Sequence, residues 1–161
     1  MTNLHNIFNP LFLKNKELKI AFELLFFTIK DFDRNISFLL KKFGYNKTHF
    51  AVIFLASNNY YLTIKDLLII LDIKKQSLSK IINKLKSDEI ITLKKSKKDK
   101  RNKNIYLTKK GLKIEKKITS KQINNIANAY KNAGKDSING FKKILLNLLS
   151  KTSKTILRNK I

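Results

Sequence analysis

The stretch Lys74-Lys75-Gln76-Ser77-Leu78-Ser79-Lys80-Ile81-Ile82-Asn83-Lys84-Leu85-Lys86 decides how the rest of the chain is read. On a helix turning about 100° per residue, Leu78, Ile81, Ile82 and Leu85 fall within one arc. Gln76, Ser79, Lys80 and Asn83 fall on the opposite side at the spacing i, i+3, i+4, i+7, with Lys75, Lys84 and Lys86 flanking them. The spacing predicts a helix with one face for a core and another carrying hydrogen-bonding groups ringed by ammonium groups. Reading a DNA major groove needs that arrangement: Gln and Asn make paired bonds to adenine, Ser donates or accepts, and Lys reaches guanine or phosphate. No acid interrupts the outer face. The competing explanation is a plain solvated face, but such faces usually mix both signs of charge.

Downstream, Ile90–Lys95 and Asn104–Thr108 are each short enough for a strand. Between them runs Lys94-Lys95-Ser96-Lys97-Lys98-Asp99-Lys100-Arg101-Asn102-Lys103. A protruding basic hairpin of this kind can straddle a phosphate backbone or place an Arg in a narrow minor groove. Asp99, two residues from Arg101, can pair with that guanidinium and fix its direction. A self-repelling lysine loop is the alternative, and the flanking strands argue against it by tethering both ends.

Upstream, Glu17 to about Lys42 reads as one long helix, with Leu18, Phe22, Leu25, Ile29, Phe32, Ile36, Leu39 and Phe43 spaced by three and four. Phe26, Phe27, Phe38 and Leu40 widen the stripe, so this helix needs burial on more than one side, and a partner subunit is a natural source. Gly44 caps its end, Asn46 can cap a helix to about Ala56, and Thr63 caps a short helix over Ile64–Leu71. Beyond the strands a helix is expected from Lys109 to about Lys131. Gly134 breaks it, and Asp136 or Ser137 caps a last helix to about Arg158. Residues 1–13 form an apolar arm interrupted by Pro10. The fold class expected is mainly α with a small β-wing: a winged helix-turn-helix lobe over 44–111, flanked by dimerisation segments at 1–43 and 112–161, in a single structural domain.

The 161 residues are 43% hydrophobic, enough for a proper core. The net charge of +24 implies an anionic partner. Of 35 basic residues only Arg34, Arg101 and Arg158 are arginine. Lys, Asn and Ile have A/T-rich codons, so the placement of charge says more than its total. The absence of cysteine excludes disulfides and thiol redox switching. No stretch is long and apolar enough for a membrane span, and the N-terminus lacks a signal-peptide pattern, so a cytoplasmic, nucleoid-associated protein is expected. His5 and His49 lack neighbours at ligand spacing, so no metal and no cofactor is expected.

The run from Ile64 to Gly111 resembles the MarR family of bacterial winged-helix regulators. The resemblance rests on Asp66-Leu67, on Ser77-Leu78-Ser79-Lys80, and on Asp99-Lys100-Arg101 followed by Ile105-Tyr106-Leu107-Thr108 and Gly111. It implies a triangular homodimer in which the first and last helices interlock with those of a partner and two winged lobes contact double-stranded DNA. It also implies that Lys75, Gln76, Ser77, Ser79 and Lys80 contact DNA, that Arg101 is the wing arginine, and that Asp99 orients it. The helix face and wing add Lys74, Asn83, Lys84, Lys97, Lys98 and Lys100. The sequence departs from the family where the recognition helix ends: Ser87-Asp88-Glu89-Ile90 stands where a glycine is usual, and Asp88 accepts a left-handed cap less easily. Many members bind a small aromatic or anionic effector in a cleft, which Phe22, Phe26, Tyr45 and His49 could line. Packing in the core is the preferred reading of these aromatics.

The function expected is sequence-specific regulation of transcription by a homodimer on a pseudo-palindromic, A/T-rich operator. The alternative is a non-specific, nucleoid-type nucleic-acid binder of the same fold. No Ser/His/Asp constellation, paired carboxylates or phosphate loop supports an enzyme. The basic residues sit on a strand–loop–strand rather than one amphipathic helix, which argues against a membrane surface.

Overall fold

A computed structural model describes residues 13–58, 62–95 and 103–158. The elements run α1 (Asn15–Lys42), α2 (Lys47–Asn58), α3 (Ile64–Leu71), α4 (Lys75–Ser87), β1 (Ile91–Lys95), β2 (Lys103–Leu107), α5 (Lys109–Leu148) and α6 (Lys151–Arg158). The expected order of helices, hairpin and flanking helices is present.

Local chemistry sets the boundaries. Gly44, at φ +69°, ends α1 in a left-handed turn, and the Tyr45 N–H returns to the Leu40 carbonyl at 3.0 Å. Asn46 Oδ1 caps α2 by accepting from the N–H groups of Thr48 and His49. Thr63 and Asp66 cap α3 reciprocally: the Thr63 hydroxyl accepts from the Asp66 N–H, and the Asp66 carboxylate accepts from the Thr63 N–H.

The lobe closes around Val52, Ile53, Leu62, Leu67, Leu78, Leu85, Ile90 and Ile105, all buried. These residues come from α2, α3, α4, the hairpin and the segments that lead into α3 and β1, so each apolar face covers the others. β1 and β2 pair antiparallel with Ile91 opposite Leu107 and Leu93 opposite Ile105. A bridge between Thr63 and Asn104, with the Ile105 N–H donating to the Leu62 carbonyl at 2.8 Å, adds a short third rung.

α5 docks on the lobe at its start. The Thr108 hydroxyl accepts from the Gly111 N–H and donates to the Glu89 carbonyl at 2.6 Å. Gly111 is buried, and a Cβ there would collide with the Ile90 carbonyl oxygen. Further along, Ile118, Thr119 and Gln122 are buried and the Lys121 ammonium donates to Asn35 of α1.

The C-terminal helices follow the sequence expectation at Gly134 and depart from it once beyond. Gly134 (φ +77°, ψ 167°) is non-helical and breaks α5 into two helical segments, the second running to Leu148. A second break lies at Leu149–Ser150, where the Ser150 hydroxyl accepts from the Ser153 N–H and starts α6. That local bond competes with continued helix, so the expected last helix is divided before Arg158.

Candidate nucleic-acid interface

The two-faced helix of the sequence is α4. Leu78, Ile81, Ile82 and Leu85 are buried, while Lys75, Gln76, Ser77, Ser79, Lys80, Asn83 and Lys84, with Lys74 at the N-cap, are exposed. Burial of the Leu/Ile stripe fixes the rotation of the helix, so the Gln/Ser/Asn stripe has to face outward. Lys74 places no side chain over the first turn, which leaves the positive end of the helix dipole beside Lys75, Gln76 and Ser77. Among the described residues, nothing acidic lies on this face, and Lys84 is its one cation in an ion pair: its ammonium sits 3.0 Å from Asp88 Oδ1, one turn on.

The hairpin stands beside α4. Lys95 and Lys103 oppose each other at its described end, and the Lys94 ammonium lies 5.5 Å from the centre of the Tyr106 ring. These stem residues were not singled out individually in the sequence, where the tip drew attention. The tip itself, with Lys97, Lys98, Asp99, Lys100 and Arg101, lies outside the described residues.

The rear of α4 is tied down. Its last turn ends in a double return: Ile90 N–H to Leu85 O at 2.8 Å and Glu89 N–H to Lys86 O at 3.0 Å. The left-handed residue is Glu89, at φ +59°, and Asp88 keeps a right-handed φ of −81°. The left-handed residue thus falls one place beyond Asp88, where this pair of returning bonds requires it, and the Asp88 carboxylate is free to be used elsewhere. It accepts from the Tyr45 hydroxyl at 2.8 Å as well as from Lys84. Tyr45 lies between two rings, stacked on His49 at 5.1 Å and on Phe43 at 6.4 Å. Burial, then the bond to Asp88, holds the phenol well above its ordinary pKa. The Tyr45 bond, then that of Lys84, holds the Asp88 carboxyl below the usual range. Burial, then the Lys84 charge, lowers the His49 imidazole.

The residues considered for an effector cleft are not gathered within one chain. Tyr45 and His49 are buried together at the α1–α2 corner, whereas Phe22 and Phe26 lie on α1 with 71% and 48% exposure. A depression of about 220 Å³ between α1 and α2 is lined instead by Lys30, Asp33, Arg34, Ser37 and Lys47. Lys47 and Asp33 pair across it at 2.6 Å.

Residues 43–102, which span α2 to the wing, match the model of the MarR family. Over those residues the chain is similar to the MarR family. It is 28% identical over 135 residues to the HTH-type transcriptional regulator PetP of Rhodobacter capsulatus, covering 84% of this chain and 81% of that protein. Its fold is that of MarR from Oenococcus oeni (TM-score 0.59, 24% identity, 80% of this chain and 97% of the other). A MepR variant from S. aureus superposes with a TM-score of 0.66 at 20% identity, covering 79% of this chain and 94% of the other. A MarR variant from E. coli complexed with operator DNA gives 0.56 at 19% identity, covering 87% and 99%. The chain therefore presents the polar face of α4 on a lobe whose fold these structures share. Among the described residues, no helix is long and apolar enough to cross a membrane.

Proposed function

We propose that this protein is a MarR-type transcription regulator that binds operator DNA as a homodimer, with α4 in the major groove and the basic wing along the adjacent minor groove. The observation that carries the reading is the outer face of α4: Gln76, Ser79, Lys80 and Asn83 exposed, acid-free, and fixed in rotation by a buried Leu/Ile stripe. Gln76, Ser79 and Asn83 read base edges. Lys74, Lys75, Ser77, Lys80 and Lys84 grip phosphate or guanine. Lys97, Lys98 and Lys100, together with Arg101 directed by Asp99, hold the wing to the DNA backbone at the minor groove.

The dimer reading rests on uncovered apolar surface. Phe22, Leu24, Phe27 and Ile29 on α1, and Ile123, Phe141, Ile144 and Leu148 on α5, are each 43% exposed or more in the single chain. Rows of this size belong at interfaces. Segments 1–43 and 112–161 are accordingly assigned to dimerisation and 44–111 to DNA. Twofold symmetry then calls for a pseudo-palindrome with half-sites about 34 Å apart.

Selection of bound duplexes from a random library tests the proposal. A symmetric site with that spacing is expected, along with affinity for it well above that for random duplex. Asn83→Ala and Gln76→Ala should change the selected sequence, while Lys97→Ala and Lys98→Ala should weaken all duplexes alike. An operator-to-random ratio near one would replace this reading with the non-specific one.

A further inference from the structure

α4 must be held at one angle to present Gln76 and Asn83 to base edges. Its N-cap, Lys74, makes no side-chain capping bond, whereas its C-terminal end is gripped from two directions. From one side, Thr108 bonds the Glu89 and Ile90 carbonyls and Gly111 abuts Ile90. From the other, the Tyr45 hydroxyl donates to Asp88 across 43 residues of sequence. The second grip sits where the usual helix-ending glycine is absent, and its parts fit the task. Tyr45 is 8% exposed, follows the left-handed turn at Gly44, and has its ring fixed between Phe43 and His49. His49 is itself fixed, with Nδ1 2.8 Å from the Asn46 Oδ1 that caps α2. The phenol is therefore an immobile donor, and the carboxylate on α4 is the acceptor that moves if the helix tilts. Asp88 simultaneously holds the Lys84 ammonium at 3.0 Å, at the edge of the reading face.

Resting on the DNA-reading role of α4, we propose that Tyr45 and Asp88 are positioning residues for base recognition: their hydrogen bond sets the angle of the recognition helix and parks Lys84 at its C-terminal edge. Neither side chain touches DNA. They act on specificity, because base contacts require fixed geometry whereas phosphate contacts tolerate several arrangements.

The test compares Kd for the selected operator with Kd for a scrambled duplex of equal length, with salt slopes, for the wild type, Tyr45→Phe, Asp88→Ala, Asp88→Asn and the Tyr45→Phe/Asp88→Ala double variant. Tyr45→Phe leaves charge and ring stacking intact. It should lower the operator-to-scrambled ratio by about tenfold, the scale of one lost hydrogen bond to a charged group. Its affinity for scrambled duplex and its salt slope should stay unchanged. Asp88→Ala should lower the ratio as much, while frequency of binding to scrambled duplex rises because Lys84 is released and an acid is lost. Asp88→Asn keeps an acceptor for the phenol and should recover part of the ratio. The double variant should be no worse than either single change, since both remove one interaction. An unchanged ratio in folded Tyr45→Phe, or additive losses in the double variant, overturns the proposal. If Tyr45→Phe does not fold, the Asp88 pair decides alone: equal ratios for wild type, Asp88→Ala and Asp88→Asn overturn it. A wild-type ratio near one removes the reading of α4 itself, and is seen before any variant is measured.

Discussion

Gly111 joins the wing to the long C-terminal helix, and its replacement by alanine gives a quantitative test of that junction. Gly111 is the third residue of α5, where the chain turns from β2 into the helix under the Thr108 cap. A Cβ there would lie inside contact distance of the Ile90 carbonyl oxygen, 3.2 Å from the Ile90 carbonyl carbon and 3.3 Å from Leu107 Cδ2. Two of these atoms are backbone, and Ile90 O already accepts from the Thr108 N–H at 3.0 Å, so the obstacle cannot rotate away. Overpacking against rigid surroundings costs about 1–3 kcal/mol or more. Alanine regains about 1 kcal/mol of helix propensity, so a net loss of about 2 kcal/mol is expected from a clash at the upper end of that range. For a chain of this size that corresponds to a fall in Tm of about 4–8 °C. Gly140→Ala is the control: nothing lies within 4 Å of its Cβ position, so the same substitution should leave Tm unchanged or raise it. Both variants are melted by circular dichroism at one fixed protomer concentration, because association would shift Tm by mass action. A Gly111→Ala protein as stable as Gly140→Ala would refute the close docking of α5 on Ile90.

Other outcomes follow from the same geometry. Glu89 adopts a left-handed conformation that costs an L-residue about 1–2 kcal/mol, so Glu89→Gly should stabilise the protein by up to about 1 kcal/mol after the added unfolded-state entropy, read as a shift in urea midpoint. Folded His49 titrates below its ordinary value of 6.5, so the unfolded chain takes up that proton first as pH falls. Stability should therefore decline below about pH 6.5, at no more than about 1.4 kcal/mol per pH unit from this group, and His49→Gln should flatten that limb in Tm-versus-pH melts. Phe22→Glu introduces a charge on the uncovered α1 stripe, 71% exposed in the single chain; sedimentation should show a dimer for the wild type and a monomer for the variant, and a monomeric wild type would remove the assigned interface.

Much of the lobe was legible because its signals are local. The stripe of α4 is a matter of spacing, and the caps at Gly44, Asn46 and Thr63 each act within a few residues. What escaped depends on long-range contact. The Thr63–Asn104 rung is one residue pair, too short to leave a period in the sequence. The Tyr45–Asp88 bond joins residues that no local pattern relates, although the unusual Asp88 marked the place where something had to replace glycine. The left-handed φ fell on Glu89 because the returning bonds at the helix end place that conformation one residue beyond the cap at Asp88. At Gly134 the expected break is present; the further break at Leu149–Ser150 had no glycine or proline to mark it.

Lysine abundance does not separate the interface from the rest of the surface, since several segments of the chain are both basic and free of acids, among them 73–87, which holds α4, and 116–135 of α5. The residues between the lysines distinguish them. On α4 the exposed companions are Gln76, Ser79 and Asn83, opposite a fully covered apolar face. On α5 they include Ile123 and Ile126, 57% and 39% exposed. A planar amide can discriminate one base pair from another, whereas an exposed isoleucine gains most from apolar cover. The wing stem adds a second distinction. Lys95 and Lys103 are directly opposed across the hairpin, an arrangement that is unfavourable in the free protein and is relieved by a polyanion laid against it. Two like charges held face to face by a paired strand register, beside a helix that carries base-reading groups, account for a nucleic-acid partner better than the total of +24 does.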